Sequence, residues 1–467
     1  MFQDDRNNSP PRLFIIALVL IGFGAFKFFP GLFASKSSDI STSTPTSGAS
    51  PDAIANRISL GNQLLVTSQT TPDKQAGIEA FKSGDFSTAI QKFQASLKQT
   101  RNDPETVIYL NNATARISPA LLKIAVSVPI GSNPNVAQEI LRGVAQAQSE
   151  VNNSGGINGA KLQVEIVNDD NNPAIVKEVA NTLTKDPTIL AVIGHNASNA
   201  SLEAAPIYQQ EKLVMVTPTS LANNLSGFGS YIFRTVPNIS IMAAPLAEYA
   251  VKTGKTNIAI CYDSQAPDNI SFKDEFVAAL IAAGGKLVPT VCDFSVPSFT
   301  PESAIADAVS KGAQGLMLAP HIDRIDRAIS LARTNQGKLP LYGSTTMYTF
   351  QTLKDGQKSV DGLVLPVPWH PETNPGSTFP KNAAQLWGGV VNWRTATSFD
   401  ATQAVIAGLK QSNTREGLQE AFKSPSFSTP GASEKVKFLP TGDRAGKPIL
   451  VQVKQGGSTG YNFVPLR

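Results

Sequence analysis

The stretch ILAVIGHNASNASLEAAPIYQQEKLVMVTPTS, Ile189 to Ser220, decides the fold. Two short apolar runs, ILAVI and LVMV, each stop abruptly at small hydroxylated residues, and a segment of helical character over about 198–211 separates them. A strand, a helix and a second strand in this order read as a right-handed crossover unit of a parallel sheet. The serine- and threonine-rich turns GHNASNAS and TPTS then fall at the carboxyl ends of two buried strands.

The same rhythm extends in both directions. Upstream come LLKIAVSVPIG, a helix over about 135–152, KLQVEIVND and a helix over about 173–184; after Pro237 the series restarts with TNIAICYD, KLVPTVCDF, GLMLAP, LPLYGST and DGLVLPVPW, with helices between. Two such series predict two parallel, doubly wound sheets, hence two lobes. At 467 residues and 41% hydrophobic, the chain is long enough to bury two or three cores.

Charge excludes one function class. Forty Lys plus Arg against 36 Asp plus Glu leave a formal +4 without basic blocks, so nucleic acid has no footprint. Nucleotide binding has none either, because GGINGAKL precedes a strand and the phosphate-loop pattern is absent. No G-x-S-x-G elbow accompanies the three histidines, His195, His321 and His370, and no ligand cluster points to a metal; the expectation is a protein that is not an enzyme and carries no cofactor. Cys261 and Cys292 each end an apolar run, which reads as two buried thiols at neighbouring strand ends, with a single disulfide as the other reading.

The N-terminus speaks of place. LFIIALVLIGFGAFKFFPGLFA, Leu13 to Ala34, is apolar apart from Lys27 and follows a head carrying Arg6 and Arg12. It lacks both a lipidation cysteine and an obvious cleavage site, so residues 1–34 read as an uncleaved signal anchor with everything beyond exported. Residues 35–56, rich in Ser, Thr and Pro at first, read as a disordered linker. In KQAGIEAFKSGDFSTAIQKFQASLKQTRNDPE, Gly77, Gly84, Ala89, Phe93 and Leu97 sit where a tetratricopeptide hairpin places its interlocking residues. One repeat cannot form a groove, so residues 57–120 read as a helical spacer packed on its neighbours.

With these pieces in hand, the chain from about Leu122 to Lys454 resembles the exported branched-chain amino acid-binding proteins of ABC transporters, which have the type I periplasmic binding fold. The resemblance rests on GGINGAKLQVEIVNDD, AVIGHNASNASLEAAPIY, VTPTS, FRTVPN, KDEFVAALIAAGG, SFDATQAV and KFLPTGDRAGKPILVQVK. The N-terminal anchor, the hairpin and WGGVVNWRTATSFDA resemble the cyanobacterial branch of that family. It implies lobe one from 121–237 and 368–438, lobe two from 238–367 and 439–467, and a hinge of three crossing strands. It also implies capture of an amino acid or related amide or carboxylate for an ABC permease complex.

Carried over residue by residue, the resemblance assigns the solute carboxylate to Ser198 and to the backbone after the TP motif, at Thr219, with Ser220 beside it as a further ligand-binding residue. The ammonium side departs from the family: Leu221 stands where a threonine is usual, Thr345 where an acid is, Asp268 for a cleft tyrosine and His321 for a second aromatic. Without Asp268 as counter-ion a buried ammonium is costly. A ligand-sensing ectodomain, or a scaffold that has lost its ligand, are the competing readings.

Overall fold

The computed structural model describes residues 51–466 except 69, 375 and 433. The expected anchor and most of the expected linker lie outside the described residues. The end of that linker is ordered: Pro51–Ala55 is helical. Among the described residues no helix is long and apolar enough to cross a membrane.

The first sheet contains β1 (Ile58–Ser59), β2 (Leu121–Val128), β3 (Lys161–Asn168), β4 (Ile189–Ile193), β5 (Val214–Thr217) and β6 (Ile232–Arg234), in the order β1-β3-β2-β4-β5-β6. β4 and β5 are buried along their whole length, as their unbroken apolar runs require. The second sheet contains β7 (Asn257–Tyr262), β8 (Lys286–Val288), β9 (Gly315–Ala319), β10 (Leu341–Gly343), β11 (Val364–Val367), β12 (Ile449–Gln455) and β13 (Tyr461–Pro465), in the order β13-β12-β11-β10-β9-β7-β8.

The sheets are mixed, which corrects the expectation of wholly parallel ones. β1 pairs antiparallel with β3, and β12 pairs antiparallel with both β11 and β13. The reason is connection length. β12 and β13 are joined by a short turn in which Gly456 and Gly457 adopt positive φ, and a parallel return needs a crossover of a dozen or more residues.

Many helices open with proline in their first turn, among them those at Pro72, Pro104, Pro134, Pro173, Pro267 and Pro301. Proline there loses no hydrogen bond and presets φ, which explains the sharp strand-to-helix switches. The helices Pro72–Lys82 and Phe86–Gln99 interlock where Gly77 meets Phe93; a Cβ at Gly77 would lie 2.6 Å from the ring. A buried ion-pair set, in which Lys74 meets Asp103 at 2.8 Å and Glu105 at 2.7 Å, ties them to the start of the next helix, Pro104–Arg116.

The closest helix pairing in the first sheet's layer is that of Pro134–Asn153 with Trp393–Gln411. A Cβ at Gly143 would lie 2.2 Å from the Thr395 carbonyl oxygen and 2.6 Å from the Phe399 nitrogen, so only glycine allows the approach. Thr395 also donates to the Glu139 carbonyl at 3.0 Å. This contact fixes the start of Trp393–Gln411, which bears on the cleft described below.

Cys261 and Cys292 are bridged, with Cα atoms 4.7 Å apart, which corrects the reading of two free thiols. The ends of β7 and of the segment after β8 approach closely enough that burial and bonding coincide.

Candidate functional site

In each sheet the strand order reverses once, between β2 and β4 in the first and between β7 and β9 in the second. At such a switch point the loops leaving neighbouring strands diverge and open a crevice at the carboxyl edge. The two crevices face one another. A narrow cleft is lined by Asn196, Ala197 and Ser198 after β4, Thr219 and Leu221 after β5, Asp268 after β7, His321 and Ile322 after β9, Thr346 after β10, and Trp393 with Arg394.

Ser198 is the first residue of the helix Ser198–Gln210, whose first-turn N–H groups have no acceptor within the helix. The residue before it, Ala197, occupies the cap position, so Ser198 is not the N-cap. Its Oγ instead accepts from the backbone N–H groups of Leu221 and Ala222, both at 3.2 Å. An oxygen that already accepts twice keeps its own proton to donate. Beside a helix N-terminus, that donor suits a carboxylate or carbonyl oxygen.

Thr219 donates to the Asn196 carbonyl at 2.8 Å, which leaves its oxygen an acceptor towards the cleft and ties the two loops together. Leu221 is buried and supplies an apolar wall. Ser220 turns away: its hydroxyl lies 2.7 Å from that of Ser201 and 3.1 Å from the Asn196 carbonyl. Thr345 is also withdrawn, fully buried and donating to the Pro366 carbonyl at 2.9 Å, and its neighbour Thr346 reaches the cleft instead. The structure therefore brings together Ser198, Thr219, Leu221, Asp268 and His321, but not Ser220 or Thr345.

Asp268 lies in the first turn of the helix Pro267–Ala282. Loss of solvent pushes its carboxyl above the ordinary carboxylate range; the nearby His321 opposes the shift and Asp263 adds to it. Asp263 itself is paired with Arg324. His321 accepts at Nδ1 from the Asp323 N–H at 3.3 Å, so in the neutral ring Nε2 carries the proton. That Nε2 is buried without a hydrogen-bond partner among the described residues. The other two histidines do other work. His195 lies behind the loop after β4, 2.7 Å from Asp169 and 3.2 Å from the Tyr208 hydroxyl, while His370 meets the Phe463 carbonyl at 3.1 Å.

Trp393 and Arg394 had no place in the sequence reading of the site. Arg394 is 4% exposed, donates from Nη1 to the Tyr348 carbonyl at 2.6 Å and stands 4.4 Å from the Trp393 ring. Burial pulls its pKa down to about 10, against the opposing influence of Glu139, so it stays charged at neutral pH. A sequence signal existed: in NWRTATSFDA the arginine opens a helix that is buried over its first ten residues, where a charge needs a reason. Asn196, Ala197, Ile322 and Thr346 were also missed, by one or two positions within loops already singled out.

Comparison with known proteins adds the lineage. A profile of the periplasmic binding protein family matches residues 122–458. The Leu/Ile/Val-binding protein of Citrobacter freundii is 28% identical over 304 residues, which is 62% of this chain and 78% of that protein. The Leu/Ile/Val-binding protein of Escherichia coli K12 is 36% identical over 125 residues. In the latter, as in the amino acid binding protein of Pseudomonas aeruginosa, the chain spans about a third of the relative's length, 34% and 36%. Among solved structures, a leucine-binding protein of Thermotoga maritima superposes with a TM-score of 0.66 at 20% identity, over 74% of this chain and 98% of that one. A solute-binding protein of Rhodopseudomonas palustris in complex with 4-hydroxybenzoate gives 0.65 at 16% identity, over 74% and 96%. At such identities these likenesses speak of fold.

Proposed function

The chain belongs to the periplasmic binding protein family, and from that premise we propose that it is an exported, membrane-tethered solute-binding protein of an ABC-type importer, one that captures a small polar solute by closure of two lobes. The observation that carries this reading is Ser198: a buried hydroxyl that accepts two backbone N–H groups, beside a helix N-terminus, in a cleft lined from both lobes. The solute's carboxylate or carbonyl oxygen sits there, and Asp268, across the cleft, meets its ammonium. The family relatives named for leucine, isoleucine and valine support a solute of this class. The buried disulfide supports residence in an oxidising compartment. The apolar stretch Leu13 to Phe33 supports a tether, and the helices before Ile117 serve as its tetratricopeptide-like spacer.

Isothermal titration calorimetry on the full-length chain against amino acids, amides and simple carboxylic acids tests the reading. Ser198→Ala weakens every carboxylate-bearing ligand by about 1 to 3 kcal/mol, the cost of losing a buried hydrogen bond. Asp268→Asn weakens amino acids strongly and leaves simple acids nearly unchanged. Unchanged affinity in Ser198→Ala places the solute elsewhere.

A further inference from the structure

The cleft offers several buried donors, one of them a cation, and a single carboxylate. Ser198 has its hydroxyl proton to give, His321 its Nε2–H, and Arg394 the rest of its guanidinium fork. Trp393 adds an Nε1 that is buried without a partner among the described residues. Against these stand the oxygens of Thr219, Asn196 and Thr346 and a single anion, the Asp268 carboxylate. A neutral zwitterion with an aliphatic tail, such as leucine, uses one acidic group at Ser198 and one amine at Asp268; it leaves the arginine facing hydrocarbon.

Arg394 has no carboxylate within ion-pair distance among the described residues. The nearest acidic influence is Glu139, which is held by Arg142 at 2.8 Å and by the hydroxyl of Thr395. A buried guanidinium with only a carbonyl and a ring for company is costly unless an anion completes its shell. Arg394 also lies on the wall shared by the inner cleft and a wider cavity towards the mouth, lined among others by Gln138, Glu139, Arg142 and Asn392. It therefore stands on the boundary between the inner cleft and the wider cavity, within reach of a solute that spans the two.

We propose that the cleft selects a solute with a second acidic group, an acidic amino acid of the L-glutamate or L-aspartate kind, and that Arg394 is the residue that selects it by a two-pronged grip on the tail carboxylate. This rests on the reading of Ser198 and Asp268 given above. Guanidinium and carboxylate match in geometry, and the charge-assisted pair is stronger than any bond a neutral amide can make to the same fork.

The test is titration calorimetry of the full-length chain with L-glutamate, its near-isosteric amide L-glutamine, L-leucine, and glutarate, which lacks the amine. L-glutamate binds at least about tenfold tighter than L-glutamine or L-leucine, a difference of about 1.4 kcal/mol. Arg394→Gln brings glutamate and glutamine to within about twofold of each other, and Arg394→Lys gives an intermediate ratio. Equal or tighter binding of L-glutamine or L-leucine to the unmodified chain overturns the proposal, whether or not the variants fold. So does an unchanged ratio in a folded Arg394→Gln. If L-leucine binds and depends on Ser198 while L-glutamate does not bind, only this inference fails; if none of the four binds, the reading of the site falls with it.

Discussion

Asp268 governs the pH behaviour of the cleft. Burial raises its carboxyl above the unfolded value of 3.8, with Asp263 adding to the shift and His321 opposing it. A carboxyl with a raised folded pKa holds its proton more readily in the fold than in the unfolded chain. Its contribution to stability is therefore full below the unfolded value and is lost as pH rises through the folded one. Two outcomes follow. At neutral pH, Asp268→Asn melts at or above the temperature of the parent in calorimetric scans, so a loss of binding in that variant is not a loss of fold. Affinity for an ammonium-bearing solute weakens as pH falls, starting above the range of an ordinary carboxylate; a flat titration profile between about pH 7 and about pH 4 contradicts the assignment. Ser198 could be read from sequence because its place, just after an apolar strand and at the start of a helix, is local. Arg394 left only the faint signal of a charge in NWRTATSFDA, because its burial depends on an approach between Gly143 and Thr395 that lie 252 positions apart in the chain.

Between the sheets, the chain passes three times, and the last crossing is clamped. In the turn before β12, Asp443 pairs with Arg234 at the end of β6, and its neighbour Arg444 pairs with Asp400 of Trp393–Gln411. All four side chains are buried. Arg444→Met leaves Asp400 buried without its partner, and thermal or urea unfolding should show a loss of about 3 to 5 kcal/mol. The motif KFLPTGDRAGKP was legible as a family feature, but the pairs were not, since each joins segments far apart in sequence. The disulfide belongs to this scale too. It closes a loop of 31 positions, and reduction should cost about 3 to 4 kcal/mol on the chain-entropy estimate. Cysteines at two strand ends were visible in the sequence; that β7 and the segment after β8 bring them within bonding reach is a matter of register. The same is true of the antiparallel strands, whose pairing depends on turns and termini that apolar rhythm does not report.

Across the whole molecule, the lobes meet around the cleft through polar latches. Asn223, after β5, donates to Glu275 at 2.7 Å, and Asn133 donates to Asp323 at 3.4 Å. A bond made across the cleft stabilises the closed arrangement, so removing it lowers solute affinity without touching the solute. Asn223→Ala should weaken binding by about 1 kcal/mol, read by calorimetry, with little change in melting temperature. The two-lobed plan was legible because two series of buried strands restart on either side of Pro237, whereas the latches join surface residues that no periodicity marks. The central claim is that the solute lies between Ser198 of one lobe and Asp268 of the other, and a crystal structure of the full-length chain grown with its tightest calorimetric ligand tests it most directly. The account predicts a solute oxygen within hydrogen-bond distance of Ser198 Oγ and the solute's other polar groups against Asp268, His321 and Arg394. A solute bound outside this cleft, or a cleft left open by a ligand that saturates the protein in solution, contradicts it.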